Sequence, residues 1–268
     1  MKDKVVIITG ATSGIGKALA YKFSVQGSKV VLGARNVKVL KEICNDIKVV
    51  GGDATWLKTD VSIELDCRNL ILTAINNFSK IDILINNAGI SMRALFEHVD
   101  LEVIKKVMDI NFWGTVYCTK YALPYILASK GSIAGVSSVA GIKGLPARTG
   151  YSASKFAMAG FLESLRNENL KNGLHVLMAY PGFTSSNIRN TALSADGTMQ
   201  GESPREEEKM MSAEEVAKHI YNAVAKRKNK IILTSQGKLV ATINKFFPNM
   251  LDNMVYNSLA KEPDSPFK

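Results

Sequence analysis

Lys4-Val5-Val6-Ile7-Ile8-Thr9-Gly10-Ala11-Thr12-Ser13-Gly14-Ile15-Gly16 is the stretch that decides the fold. Its first half is a short, unbroken β-branched apolar run, which is how a strand buried on both faces of a parallel sheet reads. Its second half is a glycine turn of the form Gly-x-x-x-Gly-x-Gly, opening into a segment with helical spacing. A strand, a glycine turn and a helix N-terminus together make a cradle for phosphate: glycine lets the backbone come close, and the helix start offers free N–H groups and a favourable dipole. The competing reading is a tight strand-to-helix connection with no ligand. The strand-to-helix context favours the cradle, with Gly10, Thr12, Ser13, Gly14, Ile15 and Gly16 as its residues.

A second run carries chemistry of another kind. Ser138 lies in Gly135-Val136-Ser137-Ser138-Val139-Ala140-Gly141, shortly before Tyr151-Ser152-Ala153-Ser154-Lys155. A tyrosine and a lysine four residues apart on a helix lie one turn above the other. The ammonium then favours the phenolate and draws the tyrosine from its ordinary pKa, about 10, toward working pH. Ser138 can donate to the same substrate oxygen. The pair alone is weak, since Tyr-x-x-x-Lys also occurs on ordinary solvated helix faces.

Outward from these two sites the chain alternates. Strands are expected over 4–9, 29–34, 54–58, 81–85, 132–136, 174–179 and 230–233, with helices between them, the pattern of a parallel sheet covered on both faces. The 268 residues suffice for one large α/β domain with ample core. Three separated cysteines, Cys44, Cys67 and Cys118, form neither a disulfide framework nor a metal-ligand spacing, so no metal is expected. The first strand begins too early to leave room for a signal peptide, and no apolar stretch is long enough to span a bilayer; a cytoplasmic protein is expected. A formal net charge of +10 points to anionic ligands or surfaces. Its basic residues are scattered without a recognition motif, which argues against nucleic acid.

Taken together, Thr9 to Gly16, Asp60-Val61, Asn86-Asn87-Ala88-Gly89, Asn111, Ser138, Tyr151 with Lys155, and Pro181-Gly182 resemble the short-chain dehydrogenase/reductase family, in that family's order over roughly residues 4 to 184. The resemblance implies a Rossmann-type doubly wound parallel sheet, a nicotinamide cofactor, and hydride transfer between that cofactor and a carbonyl or secondary alcohol. It implies that Asn111, Ser138, Tyr151 and Lys155 are catalytic: Tyr151 exchanges the proton, Ser138 steadies the oxygen, Lys155 tunes the phenol and meets the nicotinamide ribose, and Asn111 positions a water. It further implies cofactor contacts at Asp60 and Val61 (adenine), at Asn87, Ala88 and Gly89 (ribose), and at Pro181, Gly182 and Thr184. Asp60 or Ser62 is also a natural helix cap. At the end of the second strand, where an acidic residue in this family excludes a 2′-phosphate, the chain has Ala34 followed by Arg35. An arginine suits phosphate, so NADP(H) is preferred, with NAD(H) the alternative. A cofactor-binding regulator without turnover, and an epimerase or dehydratase relative, are the competing functions; both usually depart from the pattern found here.

Two regions remain. The substrate-covering loop is expected at about 184–212. Its residues 191–209 are polar and turn-rich, the reading of a mobile loop or broken flap, or of a plain surface insertion. With residues 91–94 and 141–145 it would line a fairly apolar pocket including Met92, Leu145 and Phe183. A core domain is expected over 1–236, followed by an amphipathic extension over 237–268. Leu239, Val240, Ile243, Phe246, Phe247, Met250, Leu251, Met254 and Val255 recur every three or four positions, with Pro248 as a break or kink. The extension loosely resembles the steroid, retinoid and lipid carbonyl reductase branch. Its apolar face calls for a cover: the protein's own core, a second subunit of a homodimer or homotetramer, or peripherally a membrane surface.

Overall fold

Every apolar run read as a strand is one in the computed structural model, which describes residues 1–185, 187–201, 210–261, 265 and 267. The strands are β1 (Val5–Thr9), β2 (Lys29–Ala34), β3 (Ala54–Lys58), β4 (Ile83–Asn86), β5 (Ser132–Val136), β6 (His175–Tyr180) and β7 (Lys230–Ile232). They form one sheet of order β3-β2-β1-β4-β5-β6-β7, parallel throughout. β4 begins two residues later than its apolar run. Asp82 is the reason: its buried carboxylate accepts from the Val5 N–H at 2.9 Å and from Lys4 Nζ at 2.7 Å, and pairs with Lys80 at 3.0 Å, so it braces the start of β1.

The helices are α1 (Gly14–Val25), α2 (Val37–Val49), α3 (Glu64–Phe78), α4 (Leu101–Met108), α5 (Gly114–Ala128), α6 (Thr149–Glu168), α7 (Ala213–Ala225), α8 (Ser235–Phe246) and α9 (Pro248–Ala260). β1 shows why the run has no polar alternation. Val6 and Ile8 pack into one core with Leu19 and Phe23 of α1, Leu40 of α2 and Ile220 of α7. Val5 and Ile7 face the opposite core, with Leu70 of α3, Ile126 of α5 and Leu162 of α6. Each such large apolar side chain contributes roughly 1.5–3 kcal/mol by leaving water. After β3 the chain crosses back to the other side of β1, so β1 and β4 are neighbours that lead to opposite halves of the sheet. The crevice outside their carboxyl ends is where such sheets take ligands.

Of the break or kink expected at Pro248, the structure shows the break. Pro248 occupies the first turn of α9, where a missing N–H costs nothing, and Phe247 separates α9 from α8. The pair is tied to the loop after β5: Asn244 Nδ2 donates to the Ile142 carbonyl at 3.0 Å, and Lys143 pairs with Asp252. The polar loop also differs from expectation. Residues 191–201 are pinned against residues 91–93, with Leu193 N–H donating to the Ser91 carbonyl and Arg93 N–H to the Leu193 carbonyl, and with Ala192 and Leu193 buried. The rest of that expected flap, 202–209, lies outside the described residues, as does Ser186.

Candidate active site

The glycine turn is built by close contacts that admit no side chain. Gly10 has φ +63°, in the left-handed region. At Gly16 a Cβ would stand 2.2 Å from the Gly10 carbonyl oxygen and 2.5 Å from Asn87 Nδ2. Asn87 locks the turn to the end of β4: its Nδ2 donates to the Thr9 and Gly10 carbonyls, while the Asn87 and Ala88 N–H groups donate to Thr9 Oγ1 at 3.0 Å. Ser13 stands at the N-cap of α1 in extended conformation and makes no side-chain cap, and the first turn holds no acidic residue. The helix start therefore keeps its N–H groups and positive dipole for an anion. This open cradle suits a pyrophosphate.

A cavity of about 740 Å³ runs from this turn to α8 and α9. Of the residues expected to bind cofactor, Gly10, Thr12, Ser13, Gly14, Ile15, Arg35, Asp60, Val61, Asn87, Ala88, Gly89, Tyr151, Lys155, Pro181, Gly182 and Thr184 all line it. Gly16 does not; it serves the turn from behind. Arg35 is exposed at the cavity edge next to Ala34, with no ion pair among the described residues. Asp60 caps no helix. Its Oδ1 accepts from the N–H and hydroxyl of Ser62, closing a local turn, and α3 starts later, at Glu64 after an uncapped Ile63.

Ser138, Tyr151 and Lys155 also line the cavity. α6 brings the last two together because its buried residues, Tyr151, Ser154, Lys155, Met158 and Leu162, recur at helical spacing. Asn111 is fully buried beneath them. It lies in a π-helical turn, Asp109–Trp113, between α4 and α5, where the widened backbone aims its amide at Ile90 and Ser154. Oδ1 accepts from the Ile90 N–H at 2.8 Å, and Nδ2 donates to the Ile90 carbonyl and to Ser154 Oγ. Ser154 in turn donates to the Tyr151 carbonyl, so Asn111 is coupled through Ser154 to the backbone of α6.

The electrostatics depart from the sequence reading. Burial raises the Tyr151 pKa above its ordinary value. The groups that pull it back are the Ser138 hydrogen bond and the cations Arg148 and Arg189, and they do not overcome burial. Lys155 was expected to be that cation. Its Nζ lies 5.8 Å from the centroid of the phenol ring and donates to the Val136 carbonyl at 3.0 Å. Burial lowers the Lys155 pKa to about 8, so its own charge is costly where it stands.

The lining also holds Arg148 and Lys106, which sequence reasoning missed, and Arg189, which lies within the loop expected there; Leu239, Val240, Ile243, Leu251, Met254 and Val255, read from sequence only as an apolar tail face, join Leu259 in a wall from α8 and α9. Leu145, Phe183 and Ser91 line the cavity as expected, whereas Met92 is wholly buried below it. Among the described residues no cluster of three or more His, Cys, Asp or Glu side chains could hold a metal ion, and no helix is long and apolar enough to cross a membrane. Cys67 and Cys118 are free thiols buried in the same core, and Cys67 Sγ donates to the Val61 carbonyl at 3.3 Å.

A doubly wound parallel sheet, an open pyrophosphate cradle at β1 and a tyrosine–lysine pair across the crevice define a nicotinamide-dependent oxidoreductase. The chain belongs to the short chain dehydrogenase family, whose model matches residues 4–196. It acts on alcohol and carbonyl groups. Dehydrogenase/reductase SDR family member 7B of Mus musculus is 36% identical over 239 residues, covering 87% of this chain and 74% of the mouse protein. 11-beta-hydroxysteroid dehydrogenase-like 2 of Arabidopsis thaliana is 35% identical over 254 residues, covering 94% and 80%. A short chain dehydrogenase/reductase from Burkholderia phymatum, solved in complex with NAD, shares the fold with a TM-score of 0.82 at 23% identity over 93% of this chain and 95% of its own. An alcohol dehydrogenase from Thermococcus sibiricus, complexed with 5-hydroxy-NADP, gives 0.77 at 21% identity over 87% and 96%.

Proposed function

We propose that the protein is an NADP(H)-dependent reductase of a fairly apolar ketone, working through Asn111, Ser138, Tyr151 and Lys155. The observation that carries this reading is Tyr151: buried, lining the cavity together with Ser138 and Lys155, with burial raising its pKa so that it stays protonated at neutral pH. A neutral phenol is the right species to give a proton to a carbonyl oxygen that is gaining electrons. The nicotinamide supplies the hydride when bound. Ser138 holds the substrate oxygen at the phenol. Lys155 reaches the ribose and, once an anionic ligand shares its pocket, keeps its proton more readily. Asn111 holds the Gly89-Ile90 turn and, through Ser154, the register of α6 against it; water held near its turn would link Lys155 to solvent.

Preference for the phosphorylated cofactor rests on Ala34 and Arg35. An apolar substrate is supported by the wall from α8 and α9 and by relatives that carry the name hydroxysteroid dehydrogenase. A cytoplasmic homodimer or homotetramer, with peripheral contact to a membrane surface, would cover what the tail leaves exposed, notably Phe246, Phe247 and Met250. A panel of ketones and secondary alcohols, assayed with NADPH and NADH, tests the function: ketone-dependent NADPH oxidation supports it, and tight NADPH binding without turnover of any member would favour a regulator. Light scattering and liposome sedimentation test the assembly and the surface contact.

A further inference from the structure

Basic residues scattered along the sequence are gathered by the fold. Because the sheet is parallel throughout, every strand begins on one side of the molecule, opposite the cavity at the carboxyl ends. Lys2 and Lys4 precede β1, Lys29 opens β2, and Lys80, Lys130 and Lys171 stand in the turns before β4, β5 and β6. The run Lys226-Arg227-Lys228-Asn229-Lys230 leads into β7. Against these ten cations the strand-leading turns hold three carboxylates, Asp3, Asp53 and Asp82, so this end carries seven of the chain's net charge of +10. All ten cations except the half-buried Lys29 are exposed. Contacts between the turns join them into one surface: Lys4 and Lys80 share Asp82, the Ser132 N–H donates to the Asp82 carbonyl at 2.9 Å, and Arg227 donates to the Lys130 and Gly173 carbonyls at 3.0 and 2.6 Å.

The same end carries the four most exposed large apolar side chains among the described residues: Val49 at 86%, Val25 and Val50 at 74%, and Leu170 at 70%. Val25 and Val49 are the last residues of α1 and α2, Val50 follows α2, and Leu170 lies in the turn after α6. A helix that connects two parallel strands ends where the next strand begins, so all four stand among the turns that hold the lysines. The helix C-termini at this end bring about half a negative charge each, which accounts for some of the lysines but for neither the size of the excess nor the exposed valines. A broad basic face with unburied apolar side chains suits an anionic membrane surface, where lysines meet the headgroups and small apolar side chains enter the interface. Nucleic acid fits less well: the one arginine is engaged with the chain's own carbonyls, and no strand-leading turn holds an aromatic residue on which a base could stack.

We infer that the end of the sheet opposite the cavity is a docking face for an anionic lipid membrane, with the lysines of the strand-leading turns on the headgroups and Val25, Val49, Val50 and Leu170 at the interface. Docked this way, the protein holds its cavity away from the bilayer, open to cofactor and substrate in water. The tail begins beyond the carboxyl end of β7 and lines the cavity, so it lies at the other end of the molecule, and its exposed side chains are left to a second subunit. The docking face stands independently of the roles given to Tyr151 and Arg35.

Sedimentation of the full-length protein with vesicles of phosphatidylcholine, alone or with an equal part of phosphatidylserine, tests the inference. The protein should sediment with the mixed vesicles and not with the neutral ones, and added salt should release it. Lys226→Glu with Lys228→Glu should lower the partition coefficient by at least about tenfold, since each lysine near an anionic leaflet is worth about fivefold. Val49→Ser with Val50→Ser should lower it severalfold with no change of charge. Lys238→Glu with Lys245→Glu makes the same change of charge on the tail, more than a screening length from the docked face, and should leave the coefficient within about twofold. NADPH, titrated by fluorescence, should bind the vesicle-bound protein as tightly as the free protein. Equal losses from the two lysine pairs would reduce the attraction to net charge and overturn the inference. Vesicles that block NADPH binding would also overturn it, because the cavity end would then face the bilayer. Retention by duplex DNA without sedimentation on either vesicle would overturn it in favour of nucleic acid.

Discussion

Replacing Lys155 by methionine should change how stability depends on pH, in a direction that the buried site fixes. The folded-state pKa is lowered from 10.5 to about 8 by burial. Below about pH 8 the lysine is charged in both folded and unfolded states, and folding bears the full cost of burying the ammonium. Between about 8 and the unfolded value the unfolded chain binds the extra proton, so stability rises with pH. The difference of 2.5 units, taken as 10.5 minus 8, sets an upper limit on the order of 3 kcal/mol. The bond to the Val136 carbonyl at 3.0 Å favours the charged form and trims this to about 1–3 kcal/mol. Urea unfolding of the cofactor-free protein at pH steps from about 7 to 10 measures it. The unaltered protein should gain on Lys155→Met by that amount across the range, whatever constant offset the lost packing adds. Tyr151, with its raised folded-state pKa, works in the opposite direction, but only above about pH 10. Parallel curves for the two proteins would refute a buried, costly ammonium.

Arg35→Ala should weaken NADPH binding by about tenfold to a hundredfold, the loss of a charge-assisted contact worth roughly 1.5–3 kcal/mol, and leave NADH nearly unchanged; fluorescence titration of each nucleotide reads it. Gly16→Ala should abolish binding of both, since its Cβ would stand 2.2 Å from the Gly10 carbonyl oxygen, and the same titration with a melting curve separates lost binding from lost fold. Truncation after Thr234 removes the apolar wall from α8 and α9. It should raise KM for an apolar ketone far more than it changes NADPH affinity, and light scattering should report altered assembly or aggregation; unchanged KM and mass would show the tail to be dispensable.

The strands were legible because short apolar runs between turn residues favour strands: 29–34, 54–58 and 132–136 match β2, β3 and β5 in full, even though the edge strand β3 is only partly buried. The cradle was legible for a related reason, since glycines at 10, 14 and 16 meet local steric demands. What escaped depends on contacts distant in sequence. The period of Leu239, Val240, Ile243 and the apolar residues that follow to Val255 announces an apolar face, yet nothing local says that the face closes over the cavity, and of these residues only Leu251 is buried. Arg148 and Arg189 are isolated arginines without a pattern until the loop after β6 folds toward α6. The π-helical turn at Asn111 is invisible to a pattern that assumes one period through α4 and α5. Asp60 has the composition of a helix cap, but the turn it closes with Ser62 comes first. The sign of the Tyr151 shift was missed because spacing gives the neighbour and not the burial.

The central claim is that Tyr151 donates the proton. Its most direct test is Tyr151→Phe, which removes one hydroxyl from a packed helix face, assayed for NADPH oxidation with a ketone that the unaltered enzyme reduces. The account predicts a folded protein that binds NADPH within a few-fold of the original and turns over more slowly by about a hundredfold to ten-thousandfold. Turnover at the original rate would contradict it.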